Sequence, residues 1–117
     1  MNVIITGASR GMGKAMAIKF ASAGYDLILC SKNVHTLNET KSTISKQFPL
    51  IDIKVFAADL TIKEETQSFG KFCLQYDAPD ILINNAAGFV PTNFENMTEK
   101  DLQLMLDINL KGTILVT

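Results

Sequence analysis

The sequence predicts an α/β fold: a doubly wound parallel sheet, truncated after its fourth strand and the helix that follows. Three observations lead there. Short apolar runs alternate along the chain with segments of helical spacing. The runs are apolar throughout rather than at every second residue, as strands covered on both faces are. Three glycines, Gly7, Gly11 and Gly13, crowd the first strand-to-helix junction.

Each element has a local cause. Residues 2–6 (NVIIT) form the first strand, and a helix follows over 11–23, stopped at Gly24, where a left-handed residue is favoured. Residues 26–31 (DLILCS) form the second strand. Val34, Leu37, Ile44 and Phe48 then share one helical face, and 52–57 (DIKVFA) gives the third strand. The next helix carries Ile62, Phe69, Phe72, Cys73 and Tyr76 on one face, with Thr61 three residues before Glu64 in a capping-box pattern. Residues 80–84 (DILIN) form the fourth strand. A last helix over 98–117 opens with Thr98 three residues before Asp101, and it is apolar around most of its circumference. Right-handed crossovers give the order 3-2-1-4, with the switch point between the strands at 2–6 and 80–84.

Composition narrows the partners. The 117 residues carry 11 Lys+Arg against 12 Asp+Glu and read as one domain, 1–117. A net charge of −1 without runs of like charge leaves no electrostatic footprint for nucleic acid or an anionic membrane. No apolar run approaches the ~18 residues of a membrane span. Cys30, Cys73 and the lone His35 have no zinc-site spacing, so the thiols read as structural ones in a reducing compartment. The opening MNVIITG is no secretory signal, and the expected location is the cytoplasm.

The chemistry lies at the switch point. Thr6-Gly7-Ala8-Ser9-Arg10-Gly11-Met12-Gly13 joins the first strand to its helix with the spacing G-x-x-x-G-x-G. Glycine admits positive φ and leaves no Cβ between backbone and ligand, while the free amides of a helix start favour an anion such as phosphate. About 20 residues onward, where an acid would accept from an unmodified ribose, stand Ser31, Lys32 and Asn33. With Lys32 and Arg10 available to a 2′-phosphate, the expected cofactor is NADP(H), with NAD(H) possible.

The glycine turn, Asp59-Leu60 after the third strand, N-N-A-A-G (Asn84 to Gly88) after the fourth, and Asn109 followed by Gly112 together resemble the short-chain dehydrogenase/reductase family. The resemblance implies a Rossmann-like, dinucleotide-binding domain, here the N-terminal half of a longer one. It implies pyrophosphate and ribose contacts from the backbone of Gly7, Met12 and Gly13 and the hydroxyl of Ser9, with Arg10, Gly11 and Leu60 in the same set. Asp59 is implied to face the adenine amino group, although read alone it is equally a turn residue ending a strand. Asn85 is implied to brace neighbouring strands, and Ala86 and Ala87 to line the cofactor channel. Ala87 stands where the family has glycine, unless Gly88 takes that role. Asn109 matches the family's catalytic helix asparagine, which holds a water in the proton relay.

The family's Ser and Tyr-x-x-x-Lys set has no counterpart here, since Tyr25 is followed four places on by Leu29 and Tyr76 by Asp80. The expected function is therefore the cofactor-binding half of an NADP(H)-dependent oxidoreductase that interconverts a small-molecule carbonyl and alcohol, inactive by itself. The alternative is a non-catalytic dinucleotide-binding or sensor module, or a subunit completed by another chain. Gly88, Phe89, Val90 and Phe94 are expected to border the substrate. A homo-oligomer is expected through the 98–117 helix.

Overall fold

The structure, a computed structural model, describes all 117 residues. Strands β1 (Asn2–Thr6), β2 (Asp26–Ser31), β3 (Ile53–Ala57) and β4 (Ile81–Ile83) form one parallel sheet in the order β3-β2-β1-β4, as expected. In register, Val3 lies between Leu27 and Ile81, and Ile5 between Leu29 and Ile83. Helices α1 (Gly11–Ser22), α2 (Val34–Gln47) and α3 (Lys63–Cys73) connect the strands. After β4 an irregular stretch with a 3-10 turn at Phe94–Asn96 leads to α4 (Glu99–Leu106) and α5 (Gly112–Val116). No helix is long and apolar enough to cross a membrane.

The strand pleat sorts the core into two layers. Val3, Ile5, Leu27, Leu29 and Ile53 pack with Ala17 and Ala21 of α1 and with Leu37 and Ile44 of α2. Ile4, Ile28 and Cys30 face the other way, onto Leu60 and onto Phe69 and Cys73 of α3. The buried stripe of α1 is Gly13, Ala17 and Ala21, so small residues four apart let this helix lie close on the sheet. Its end is a Schellman motif. Gly24, at φ +86°, donates to the Ala21 carbonyl and Tyr25 to that of Phe20, while the Tyr25 and Phe20 rings meet edge to face at 5.2 Å.

Several local expectations give way to tertiary contacts. The buried stripe of α2 is Leu37, Thr40 and Ile44, and Val34 is exposed; that of α3 is Thr66, Phe69 and Cys73, and Ile62 is exposed. Both threonines are buried because their hydroxyls reach carbonyls, Thr40 donating to Ser9 at 3.0 Å and Thr66 to Ile62 at 3.1 Å. The capping box at Thr61 does not form. Ile62 precedes α3, and the Thr61 hydroxyl donates instead to Asp59 at 2.6 Å. The box at Thr98 and Asp101 forms as expected. The 98–117 helix is not uniform, for a π-helical turn at Asp107–Lys111 separates α4 from α5. That wider turn brings Gly112 against Leu60, whose carbonyl oxygen lies 2.9 Å from where a Cβ would stand.

Phe69 is the largest fully buried side chain. Phe69→Ala is expected to cost about 3–5 kcal/mol through lost burial and the cavity left behind, whereas Leu50→Ala, at a position 98% exposed, stays within about 0.5 kcal/mol. Urea midpoints at unchanged slope measure both.

Candidate functional site

Beyond the carboxyl ends of β1 and β4 the chain departs to opposite faces of the sheet, and a cleft of about 920 Å³ opens there. Its walls come from the β1–α1 turn (Gly7, Ser9, Arg10, Gly11), the β2–α2 junction and first turn of α2 (Ser31, Lys32, Asn33, Thr36) and the β3–α3 loop (Ala58, Leu60, Thr61). The segment from Asn85 to Val90 and Leu104, Met105 and Ile108 on the α4 side complete it.

The turn after β1 is held from beneath. The Thr6 hydroxyl oxygen accepts from the amides of Asn85 and Ala86 at 3.1 and 3.0 Å, and the Asn85 side-chain amide donates to the carbonyls of Thr6 and Gly7, both at 3.1 Å. This leaves no space for side chains. A Cβ on Gly7 would stand 2.9 Å from the Ala86 Cα, and one on Gly13 only 2.1 Å from the Gly7 carbonyl oxygen. Gly11 differs, because its φ is +55° and nothing lies within 4 Å of its missing Cβ. The three glycines therefore divide the work: Gly7 and Gly13 permit close packing, and Gly11 presents bare backbone at the cleft. Arg10 precedes α1 in extended conformation and its side chain makes no capping bond, which leaves the first-turn amides free for an anion.

The β2 side carries hydroxyls and a cation. Ser31 donates to the Ser9 hydroxyl at 2.9 Å, and the Asn33 side chain accepts from the Thr36 amide as the cap of α2. No acid lines the cleft, while Arg10 and Lys32 do. Asp59 is not among the lining residues; its side chain, 18% exposed, accepts from the Thr61 amide at 3.0 Å and pairs with Lys32 at 3.1 Å. Burial raises the Asp59 carboxyl, but bonds from Thr61 and Lys32 outweigh it, and the group sits below the ordinary aspartate value. Burial, with Cys73 nearby, pushes the Cys30 thiol up to about 12, and burial pushes Cys73 up to about 11, so both stay protonated at neutral pH.

Of the residues singled out from sequence, Gly7, Ser9, Arg10, Gly11, Ser31, Lys32, Asn33, Leu60, Asn85, Ala86 and Ala87 line the cleft, and Met12, Gly13, Asp59 and Asn109 do not. Met12 is 71% exposed outside it, and Gly13 is buried under the turn. Asn109, on the π-helical turn, donates its side-chain amide to the Gly88 carbonyl at 2.8 Å and accepts from the Gly88 amide at 3.0 Å. Neither Ala87 nor Gly88 has positive φ, so no backbone strain calls for glycine at 87. Gly88 is needed for room, its Cβ position lying 2.8 Å from the Ile108 side chain. Phe89 and Val90 reach the cleft, but Phe94 does not. Sequence reasoning did not place Cys30, Thr36, Ala58, Thr61, Leu104, Met105 and Ile108 at the site, since no local pattern ties them to a ligand. Both tyrosines lie at the opposite, amino-terminal end of the strands, Tyr25 against Phe20 ahead of β2, and Tyr76 beside Asn2, Asp26 and Asp52.

A family model described as short chain dehydrogenase matches residues 1–117. The chain is 38% identical over 117 residues to a probable 2,4-dienoyl-CoA reductase of Bacillus subtilis (strain 168), covering 95% of this chain and 43% of that protein. It is 33% identical over 121 aligned positions to hydroxysteroid dehydrogenase-like protein 2 of Pongo abelii, covering 98% of this chain and 29% of that one. An alcohol dehydrogenase from the archaeon Thermococcus sibiricus, solved in complex with 5-hydroxy-NADP, superposes with a TM-score of 0.90 at 26% identity, over 98% of this chain and 49% of that chain. The chain thus spans less than half the length of each.

The packing under the turn orders two glycine variants. Gly13→Ala, which drives a methyl into backbone, is expected to cost about 3 kcal/mol or more, and Gly11→Ala about 1–2 kcal/mol for a left-handed alanine in open space. Equal or reversed losses on chemical denaturation would contradict the packing.

Proposed function

This chain belongs to the short-chain dehydrogenase family, and on that premise we propose that it forms the cofactor-binding part of an NADP(H)-dependent oxidoreductase interconverting a small-molecule carbonyl and alcohol. The observation that carries the reading is the cleft itself. Bare backbone at Gly11, uncapped amides at the start of α1, two cations and no acid suit a phosphorylated dinucleotide. Its volume, about 920 Å³, lies within the range of small-molecule and cofactor sites.

The nicotinamide of such a cofactor supplies or accepts the hydride, and the residues of this chain bind and orient. In this reading the backbone of Gly7, Gly11, Met12 and Gly13 meets the pyrophosphate, with Ser9 and Ser31 at the ribose and Arg10 and Lys32 at its 2′-phosphate. Asp59 and Leu60 border the adenine, Asn33 caps the helix beneath it, and Ala86 and Ala87 wall the channel. Asn85 holds the strand ends together under that wall. Asn109 serves the proton relay as a positioning residue, since its side chain is committed to both backbone groups of Gly88. Neither tyrosine reaches the cleft, so these 117 residues by themselves are proposed to bind cofactor without turnover. The absence of a tyrosine from the cleft equally favours a second reading, a dinucleotide-binding module or a subunit completed by another chain. The name of the Bacillus subtilis relative adds dienoyl thioesters to the substrates worth assaying.

The apolar surface of α4 and α5 supports assembly. Leu102, Leu104, Leu106, Leu110 and Ile114 are each 44% to 64% exposed, and the cytoplasmic homo-oligomer proposed here would cover them.

Fluorescence titration of the purified chain at fixed ionic strength should show saturable NADPH binding tighter than NADH. Arg10→Met should weaken NADPH about tenfold and Lys32→Met, whose ammonium is already paired with Asp59, by less, and both should leave NADH nearly unchanged. NADH bound as tightly as NADPH would refute the preference, and NADPH oxidation by these 117 residues with any carbonyl or dienoyl thioester would refute the lack of turnover. Sedimentation at low micromolar concentration is expected to give a dimer or larger; a clean monomer would remove the case for assembly.

A further inference from the structure

Lys32 does not stand free at the cleft. Its ammonium lies 3.1 Å from Asp59 Oδ2, and the two partners are held very unequally. The Asp59 side chain is only 18% exposed, and its Oδ1 accepts from both the amide and the hydroxyl of Thr61, at 3.0 and 2.6 Å. Its own backbone amide donates to Glu65 at 2.6 Å. Lys32 is 79% exposed at the end of a flexible stem and makes no other ion pair. The carboxylate is thus the fixed member and the ammonium the movable one. Arg10, which also lines the cleft, has no acidic partner within ion-pair distance.

We propose that Asp59 is a specificity-determining residue: it competes with a 2′-phosphate for Lys32 and so sets how strongly the cleft prefers the phosphorylated dinucleotide over the unphosphorylated one. The inference rests on the cofactor reading above, with Lys32 beside the 2′-phosphate. An exposed ion pair contributes little, so the ammonium is readily exchanged. A phosphate carries about −1.5 to −2 charges and outbids one carboxylate, but the pair must open before Lys32 can turn, and the anchored carboxylate stays beside the Lys32 site as a like charge. A dinucleotide without the 2′-phosphate leaves the pair closed. The two cations therefore differ, Arg10 acting in full and Lys32 only by its excess over Asp59.

The test uses adenine nucleotides that differ only at the 2′ position, 2′,5′-ADP and 5′-AMP, titrated into the protein carrying this sequence and into its Asp59→Asn, Lys32→Met and doubly substituted forms. Any contact of Asp59 with adenine is common to both nucleotides and cancels in the ratio of their affinities. Asparagine keeps an oxygen for Thr61, so the turn is retained. Asp59→Asn should raise the preference for 2′,5′-ADP about three- to fivefold, and by less than twofold when Lys32 is already Met, where only direct repulsion remains. An unchanged or lowered preference, or an equal rise in both backgrounds, overturns the competition. If Lys32→Met lowers the preference while Asp59→Asn leaves it alone, only the competition fails. If Lys32→Met leaves the preference unchanged, the cofactor reading of Lys32 fails with it.

Discussion

The close approach of backbone to backbone beneath the first turn is the constraint on which the rest of the molecule depends. The Gly7 carbonyl occupies the space a side chain at position 13 would need, and the Asn85 amide lies 2.6 Å from the same point. The two ends of the glycine turn and the segment after β4 meet there, with only the Asn85 side-chain amide between them. Asn85 then ties the contact together, since its amide donates to Thr6 and Gly7 while the Thr6 hydroxyl accepts from the segment after β4. The cleft above is what remains when α1 is drawn tight against β1 and the chain after β4 leaves toward the other face.

The same economy of volume continues along α1, where Gly13, Ala17 and Ala21 face the sheet. Farther out, threonines perform a related task. Thr40 is fully buried, yet its hydroxyl reaches the Ser9 carbonyl and so ties α2 to the turn that α1 begins. A larger apolar residue at 40 would leave that carbonyl without its partner and hold the helix farther off. The position of Ser9, and through its hydroxyl that of Ser31, thus follows from how α2 packs.

The two faces of the sheet are unequally finished. On the α1 and α2 side the core holds ten buried residues, and on the α3 side seven. Beyond residue 87 only Gly112 is buried, and the molecule measures 50 × 25 × 21 Å. The α4 to α5 segment meets the body where Ile108 and Val116 touch the second core and Gly112 abuts Leu60. The π-helical turn makes this possible, because the extra residue in the turn lets Asn109 grip Gly88 while Gly112 keeps its place beside the β3–α3 loop. The wall of the cleft after β4 is therefore clamped from two sides, by Asn85 below and by Asn109 outside.

Much of this was legible in the residues because its causes are local. Apolar runs of strand length, the stop at Gly24, the Thr98 cap and the glycine turn each depend on neighbours a few places away, and the strand order follows from crossover handedness. Tertiary structure decided the features that need partners far along the chain. It diverted Thr61 from a helix cap to Asp59, buried Thr40 and Thr66 where a periodicity count seeks apolar residues, and opened the helix at Asp107. It also paired Lys32 with Asp59 and Asn109 with Gly88, 27 and 21 places apart in sequence. Composition and period record which surfaces a segment must hide, but a hydrogen bond or an ion pair is specified only once the sheet has brought its two ends within reach.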